Sequence, residues 1–193
     1  MDMKRRNAMI SSVGLGLVAL AATGCTTTTG GGGDPVARRQ SLNSAADDAL
    51  SRLYAQAGGS RELVSSARGV LVFPSVVTAG FMVGGSLGDG VMRKGGKTTG
   101  FFRMTEASVG LLAGAQSQAI FLLFMTDASL QRFEASNGWT VGADGSVALL
   151  TVGADARVTT RTAQQEIVGF VLTNAGLMGN LSLSGNRIAP LNI

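Results

Sequence analysis

Apolar and polar positions divide the chain into three textures. Residues Ala8–Ala22 form an apolar run without a single charge, directly behind Lys4, Arg5 and Arg6. From Val36 to Ala57 apolar residues instead recur at three- and four-residue spacing. Leu42, Ala46, Ala49, Leu50, Leu53, Tyr54 and Ala57 share one face, while Arg38, Arg39, Asp47, Asp48 and Arg52 fall mainly elsewhere. That period predicts an amphipathic helix ended by Gly58-Gly59. Ser60, as N-cap, is expected to open a short second helix running to about residue 67. From Gly69 the texture turns strand-like: Val70–Phe73, Val76–Thr78, Phe81–Val83 and Val91–Arg93, broken by Pro74, Gly80 and Gly84-Gly85. Lys94-Gly95-Gly96-Lys97 reads as a turn leading to Gly100–Met104, followed by buried strands at Val109–Ala113 and Ala119–Met125. Asp127 is expected to cap a short helix carrying Leu130 and Phe133. Trp139–Val141, Val147–Val152, Arg157–Thr162, Ile167–Leu172 and Leu181–Leu183 complete the β series, with Asp144-Gly145 as a turn.

The first texture is an export signal. A positive start, about 15 apolar residues and the small residues Ala21-Ala22-Thr23-Gly24 have signal-peptide proportions; a bilayer span needs about 20. The only cysteine, Cys25, follows immediately. Thr26–Thr29 and Gly30–Gly33 then form a tether, with Pro35 read as a local stop. The expected organisation is residues 1–24 signal peptide, 25–35 tether and 36–193 domain. Removing residues 1–24 leaves 169 of the 193, enough for one domain with a real core. Losing Asp2, Lys4, Arg5 and Arg6 also lowers the formal charge from +4 to +2, so the high isoelectric point is no argument for nucleic-acid binding.

Composition then sets the fold class. Twenty-eight glycines, three prolines and 15% charged residues suit a compact, turn-rich β domain. With helices first and strands after, the expectation is α+β: N-terminal helices packed on a largely antiparallel, glycine-rich β-sheet or partly closed barrel.

The chemistry on offer is sparse. The chain has no histidine, which removes the usual general base, the Ser-His-Asp and Cys-His nucleophile systems and histidine metal ligation. The carboxylates Asp89, Glu106, Asp127, Glu134, Asp144, Asp155 and Glu166 are scattered, and no cofactor or metal is expected. Gly90 to Thr98 imitates a phosphate loop, but its first glycine stands one place too far back, and a strand-like segment follows where a helix is required. Arg93, Lys94, Lys97 and Arg103 place four positive charges within eleven residues, among Met92, Phe101, Phe102 and Met104. Such interleaving suits an anionic lipid surface, with about 1 kcal/mol per basic residue near it. It equally suits an exposed hairpin whose charges keep an edge soluble. Arg38, Arg39 and Arg52 form a second basic group on the first helix.

Two resemblances extend this reading. Ala22-Thr23-Gly24-Cys25 resembles the lipobox of bacterial lipoproteins. That implies a lipid anchor on Cys25, carrying three acyl chains including palmitate; since one chain holds only marginally at about 0.8 kcal/mol per methylene, three imply permanent attachment. Thr26 after the cysteine implies, by the sorting rule of such lipoproteins, the outer membrane, facing the periplasm or the cell surface. Three further stretches resemble the SYLF (Ysc84-type) lipid-binding domains: Ala67–Pro74 with Gly80-Phe81 and Gly84–Gly90, then Ser108–Gln116, then Ala175–Gly185. The resemblance as a whole covers about residues 40–190. This resemblance implies a non-enzymatic module that binds membrane phospholipid, and membrane contact by the N-terminal helix as in eukaryotic relatives. A structural or interaction module with an envelope protein partner is the alternative.

Overall fold

Asp34 and Pro35 set the start of the domain. In the computed structural model, which describes residues 34–150, 165–173, 176–177 and 183–193, Asp34 Oδ1 accepts a hydrogen bond from Val36 N at 3.0 Å. Pro35 occupies the first helical position, where its missing N–H costs nothing. The pair read as the end of the tether is thus the N-terminal signal of helix α1 (Pro35–Gln56). Its buried face is the periodic one: Ala46, Ala49, Leu50 and Leu53 are buried, with Leu42 and Tyr54 at the margin. Burying each leucine contributes about 1.5–3 kcal/mol. Helix α2 (Ser60–Ser66) follows, but Ser60 does not cap it. Its Oγ donates back to Ala57 O at 2.6 Å, and Gly59, in the left-handed region, forms the cap.

The strands are fewer and far longer than their apolar runs. Val70 to Arg93 lies within one strand, β1 (Gly69–Lys94), and Gly100 to Phe124 within β2 (Lys97–Phe124). They pair antiparallel from Lys94↔Lys97 to Gly69↔Phe124. Pro74 does not end β1 because it sits at a register shift between Phe73 and Val76, where its missing donor interrupts no ladder bond. Gly95 and Gly96 make the two-residue turn with φ of +54° and +77°.

β1 also folds over on itself. Thr78 Oγ1 lies 2.8 Å from Ser86 Oγ, whereas eight residues of straight strand would separate them by about 26 Å. The fold-over needs residues without side chains. A Cβ at Gly90 would stand 2.5 Å from the Phe73 ring and 2.8 Å from the Val72 carbonyl oxygen. The bend lies near the register shift between Gly80 and Met82.

Helix α3 (Asp127–Glu134) follows β2, with Thr126 as its cap: the Thr126 hydroxyl accepts from Ser129 N at 3.1 Å, and Asp127 is the first residue inside the helix. Short strands β3 (Trp139–Thr140) and β4 (Ala148–Leu149) precede β5 (Ile167–Thr173), β6 (Gly176–Leu177) and β7 (Arg187–Pro190). Among the described residues the sheet has seven strands in the order β3-β7-β2-β5-β4, with β1 along β2 and β6 beside β5. Among the described strand pairs, β4–β5 is the parallel one and the others run antiparallel. The class is α+β, with a curled, half-barrel sheet and helices packed against it. The residues read as signal peptide (1–24), Cys25, those read as tether up to Gly33, Asp155, the expected strand Arg157–Thr162 and the start of the one expected at Leu181–Leu183 lie outside the described residues.

Strand alternation sorts the side chains into two clusters. Leu71, Phe73, Met92, Met104, Ile120, Leu122 and Phe124 point into the curl, where Phe133 of α3 and Trp139 meet them. Phe124 and Phe133 have ring centroids 4.9 Å apart, and Phe133 and Trp139 5.7 Å in an edge arrangement. Val70, Val72, Val91, Phe121 and Leu123 point outward and bury the apolar faces of α1 and α2.

Candidate functional site

Alternation along β1 also decides where the basic residues of the hairpin go. Arg93 points to the α1 side, where its Nη1 pairs with Asp47 and its Nη2 donates to Asn43 O at 3.1 Å. Lys94, one residue on, points to the opposite side and meets Glu134 of α3 at 2.8 Å. Arg103 pairs with Asp89 through two bonds of 2.7 and 2.9 Å. Lys97 is exposed at the turn and has no ion pair among the described residues. Arg93 and Arg103 thus both lie on the α1 side, each held by a carboxylate, while Lys94 turns to the opposite side. Their apolar neighbours are engaged as well: Met92 and Met104 are buried, and Phe101 and Phe102 pack on opposite clusters.

Asp89 is the node of this region. Besides Arg103 it accepts from Arg38 of α1 at 2.6 Å, so two guanidinium groups converge on one carboxylate. Burial alone would push its pKa up, but the bonds from Arg103 and Arg38 outweigh burial and hold it below the usual aspartate value. The same bond raises the Arg103 pKa, and a hydrogen bond from Arg93 lowers that of Asp47. Arg39 donates to the Ile193 main-chain oxygen at 2.6 Å. The first helix is thus fastened to the sheet by charges as well as by its leucines.

Two depressions flank α1. The larger, about 650 Å³, lies between α1 and β1 and is lined by Leu42, Asp48, Arg52, Pro74, Leu87 and Asp89 among others. It contains two carboxylates, and Leu87 beside it is 52% exposed. The smaller, about 430 Å³, lies between α1, α2 and the β1–β2 turn. Leu50, Val64, Ala67 and Val70 contribute its apolar lining, and Arg61, Arg93 and Tyr54 its polar groups; no carboxylate lines it. The Arg61 guanidinium stacks over the Tyr54 ring with Cζ 4.2 Å from the centroid. Burial raises the Tyr54 pKa, against the opposing pull of Arg61 and Arg93, so the phenol stays neutral. The Arg93 Nε is buried with no hydrogen-bond partner.

Sequence reasoning missed Arg61 and Tyr54. They are seven positions apart across the Gly58-Gly59 break, so neither a helical nor a strand period relates them. The helix–turn–helix geometry alone brings them together. Gly90 to Thr98 forms strand, turn and strand, the context that a phosphate loop lacks. Four of the carboxylates singled out in the sequence have partners of their own: Glu106 accepts from Ser86, Glu166 pairs with Arg132, Asp127 with Arg68, and Asp144 accepts from Thr140 N. No group of three or more metal-ligating side chains occurs among the described residues. No helix among them is long and apolar enough to cross a membrane.

The fold and its clefts define an α+β domain with a curled sheet braced by helices and a basic, apolar cleft at one hairpin end. Residues 105–192, a little under half of the chain, match the family model described as Ysc84: Las17-binding protein actin regulator, which supports the resemblance to that family, also called SYLF. The matched stretch runs from β2 at Thr105 through β7. No curated protein matches the chain significantly.

Proposed function

We propose that the chain is a lipoprotein of the bacterial envelope, anchored through lipid on Cys25, whose domain binds anionic phospholipid and catalyses no reaction. The observation that carries this reading is the short interval between anchor and fold. Helix α1 is capped by Asp34, nine positions after Cys25. Nine extended residues reach about 30 Å at most, so the domain works against the membrane that holds it. Thr26 after the cysteine points to the outer membrane. The description of the family names binding to Las17 and regulation of actin; lipid binding comes to this chain from the resemblance of its motifs to SYLF domains.

The test is vesicle flotation of the mature chain from residue 25 carrying Cys25→Ala. At low salt, phosphatidylglycerol vesicles are expected to carry at least about ten times more protein than phosphatidylcholine vesicles, and added salt to reduce the difference. Equal flotation on both would overturn the reading. A second reading, a protein-interaction module, is favoured by the exposed apolar side chains Val36, Val77 and Leu87 on α1 and β1. It predicts that chemical crosslinking of the anchored chain in its own envelope captures one recurrent protein through the α1–β1 groove, and that vesicle composition makes no difference.

A further inference from the structure

We infer that the cleft between α1, α2 and the β1–β2 turn holds the headgroup of an anionic phospholipid, with its phosphate on Arg61 and its first methylenes over Leu50, Val64 and Val70. This rests on the phospholipid reading above and gives it a location, at the α2 side of the hairpin end, with Arg93 of the basic cluster on its wall. Those hairpin residues are engaged: Arg93 with Asp47, Lys94 with Glu134, Arg103 with Asp89. Arg61 differs from them. It has no ion pair among the described residues, and its guanidinium is held in place by the Tyr54 ring. An arginine so positioned presents its planar fork to a phosphate, the geometry for which guanidinium is best suited.

The two depressions beside α1 differ in their lining. The larger groove places Asp48 and Asp89 on its walls beside Arg52, and Asp89 is already taken by Arg38 and Arg103. The cleft is lined by two arginines and no carboxylate, and its remaining wall is mostly aliphatic. At about 430 Å³ it lies within the range of small-molecule sites, which combine apolar walls with a few placed polar groups. Its mouth is unobstructed at the turn, because Gly95 and Gly96 carry no side chain and have open space where one would stand. Reach is also adequate. Residues 50–54 of α1 lie about 25 Å along the helix from its start at 1.5 Å per residue, comparable to the reach of the tether.

The test uses the mature chain with Cys25→Ala and three probes: dihexanoyl phosphatidylglycerol below its micelle concentration, glycerol 3-phosphate, and phosphatidylglycerol vesicles. Titration calorimetry is expected to show the short-chain lipid binding at least about tenfold more tightly than glycerol 3-phosphate. Arg61→Gln should weaken lipid and vesicle binding about tenfold, and Lys97→Gln, the same charge change outside the cleft, less than about twofold. Arg61 is exposed, and an unchanged unfolding midpoint would show that Arg61→Gln folds. Equal losses in the two variants would overturn the cleft and leave the phospholipid reading standing, since a diffuse basic surface would then do the binding. Equal affinity for glycerol 3-phosphate would overturn the lipid as occupant. A wild-type chain that fails to distinguish phosphatidylglycerol from phosphatidylcholine vesicles removes the phospholipid reading, and the cleft with it.

Discussion

Asp89 shows how much one side chain can organise without any sign of it in the sequence. Its neighbours Gly88 and Gly90 mark it as part of a glycine-rich turn by composition, yet it lies inside a strand and ties α1 to β2 through Arg38 and Arg103. Arg38 is fifty-one positions away, a separation that no local pattern encodes. Because the folded state lowers the Asp89 pKa, the unfolded chain takes up its proton more readily. The stabilisation is therefore complete above the ordinary aspartate value of about 3.9 and is lost as pH falls through the lower folded value. Asp47, also lowered, acts in the same direction. Asp89→Asn is expected to cost about 1 kcal/mol at pH 7, since the pair is partly exposed. It should also flatten the decline of stability below pH 4. Urea unfolding at pH 7 and pH 3 measures both effects; an unchanged acid decline in the variant would assign it to other carboxylates.

At the scale of elements, helices were more legible than strands. The three- and four-residue period of Leu42 to Ala57 placed α1 to within a residue at each end, and its apolar face is the buried one. The β region is less legible because glycine and proline, ordinarily strand terminators, do not end these strands. In β1 the same residues keep the strand continuous: Pro74 at a register shift, Gly90 where the strand passes against Val72 and Phe73. Such non-local crowding is invisible to period and propensity. Gly90→Ala should therefore destabilise the domain by about 1–3 kcal/mol through forced displacement of Phe73 and the Val72 backbone. Chemical denaturation measures this directly. A neutral effect would mean that β1 opens at its fold-over with little resistance.

For the whole molecule the questions are where it is held and how firmly its cleft is built. The anchoring proposal predicts that the full chain expressed in a diderm bacterium partitions into the detergent phase of a Triton X-114 extract, and that Cys25→Ala moves it to the aqueous phase. Detergent-phase recovery of the variant would place the membrane affinity in the domain itself. The candidate basic residues were legible in the sequence as a cluster, but their orientations were not. Adjacent strand residues face opposite ways, so Arg93 and Lys94 were bound to part. That divergence has a mechanical result. Arg93 reaches Asp47 of α1 from one face and Lys94 reaches Glu134 of α3 from the other, so the end of the hairpin is splinted on both sides. The turn beside the cleft is thereby ordered before a ligand arrives. Little freedom remains for a ligand to freeze out, and weak contacts count nearly in full toward affinity.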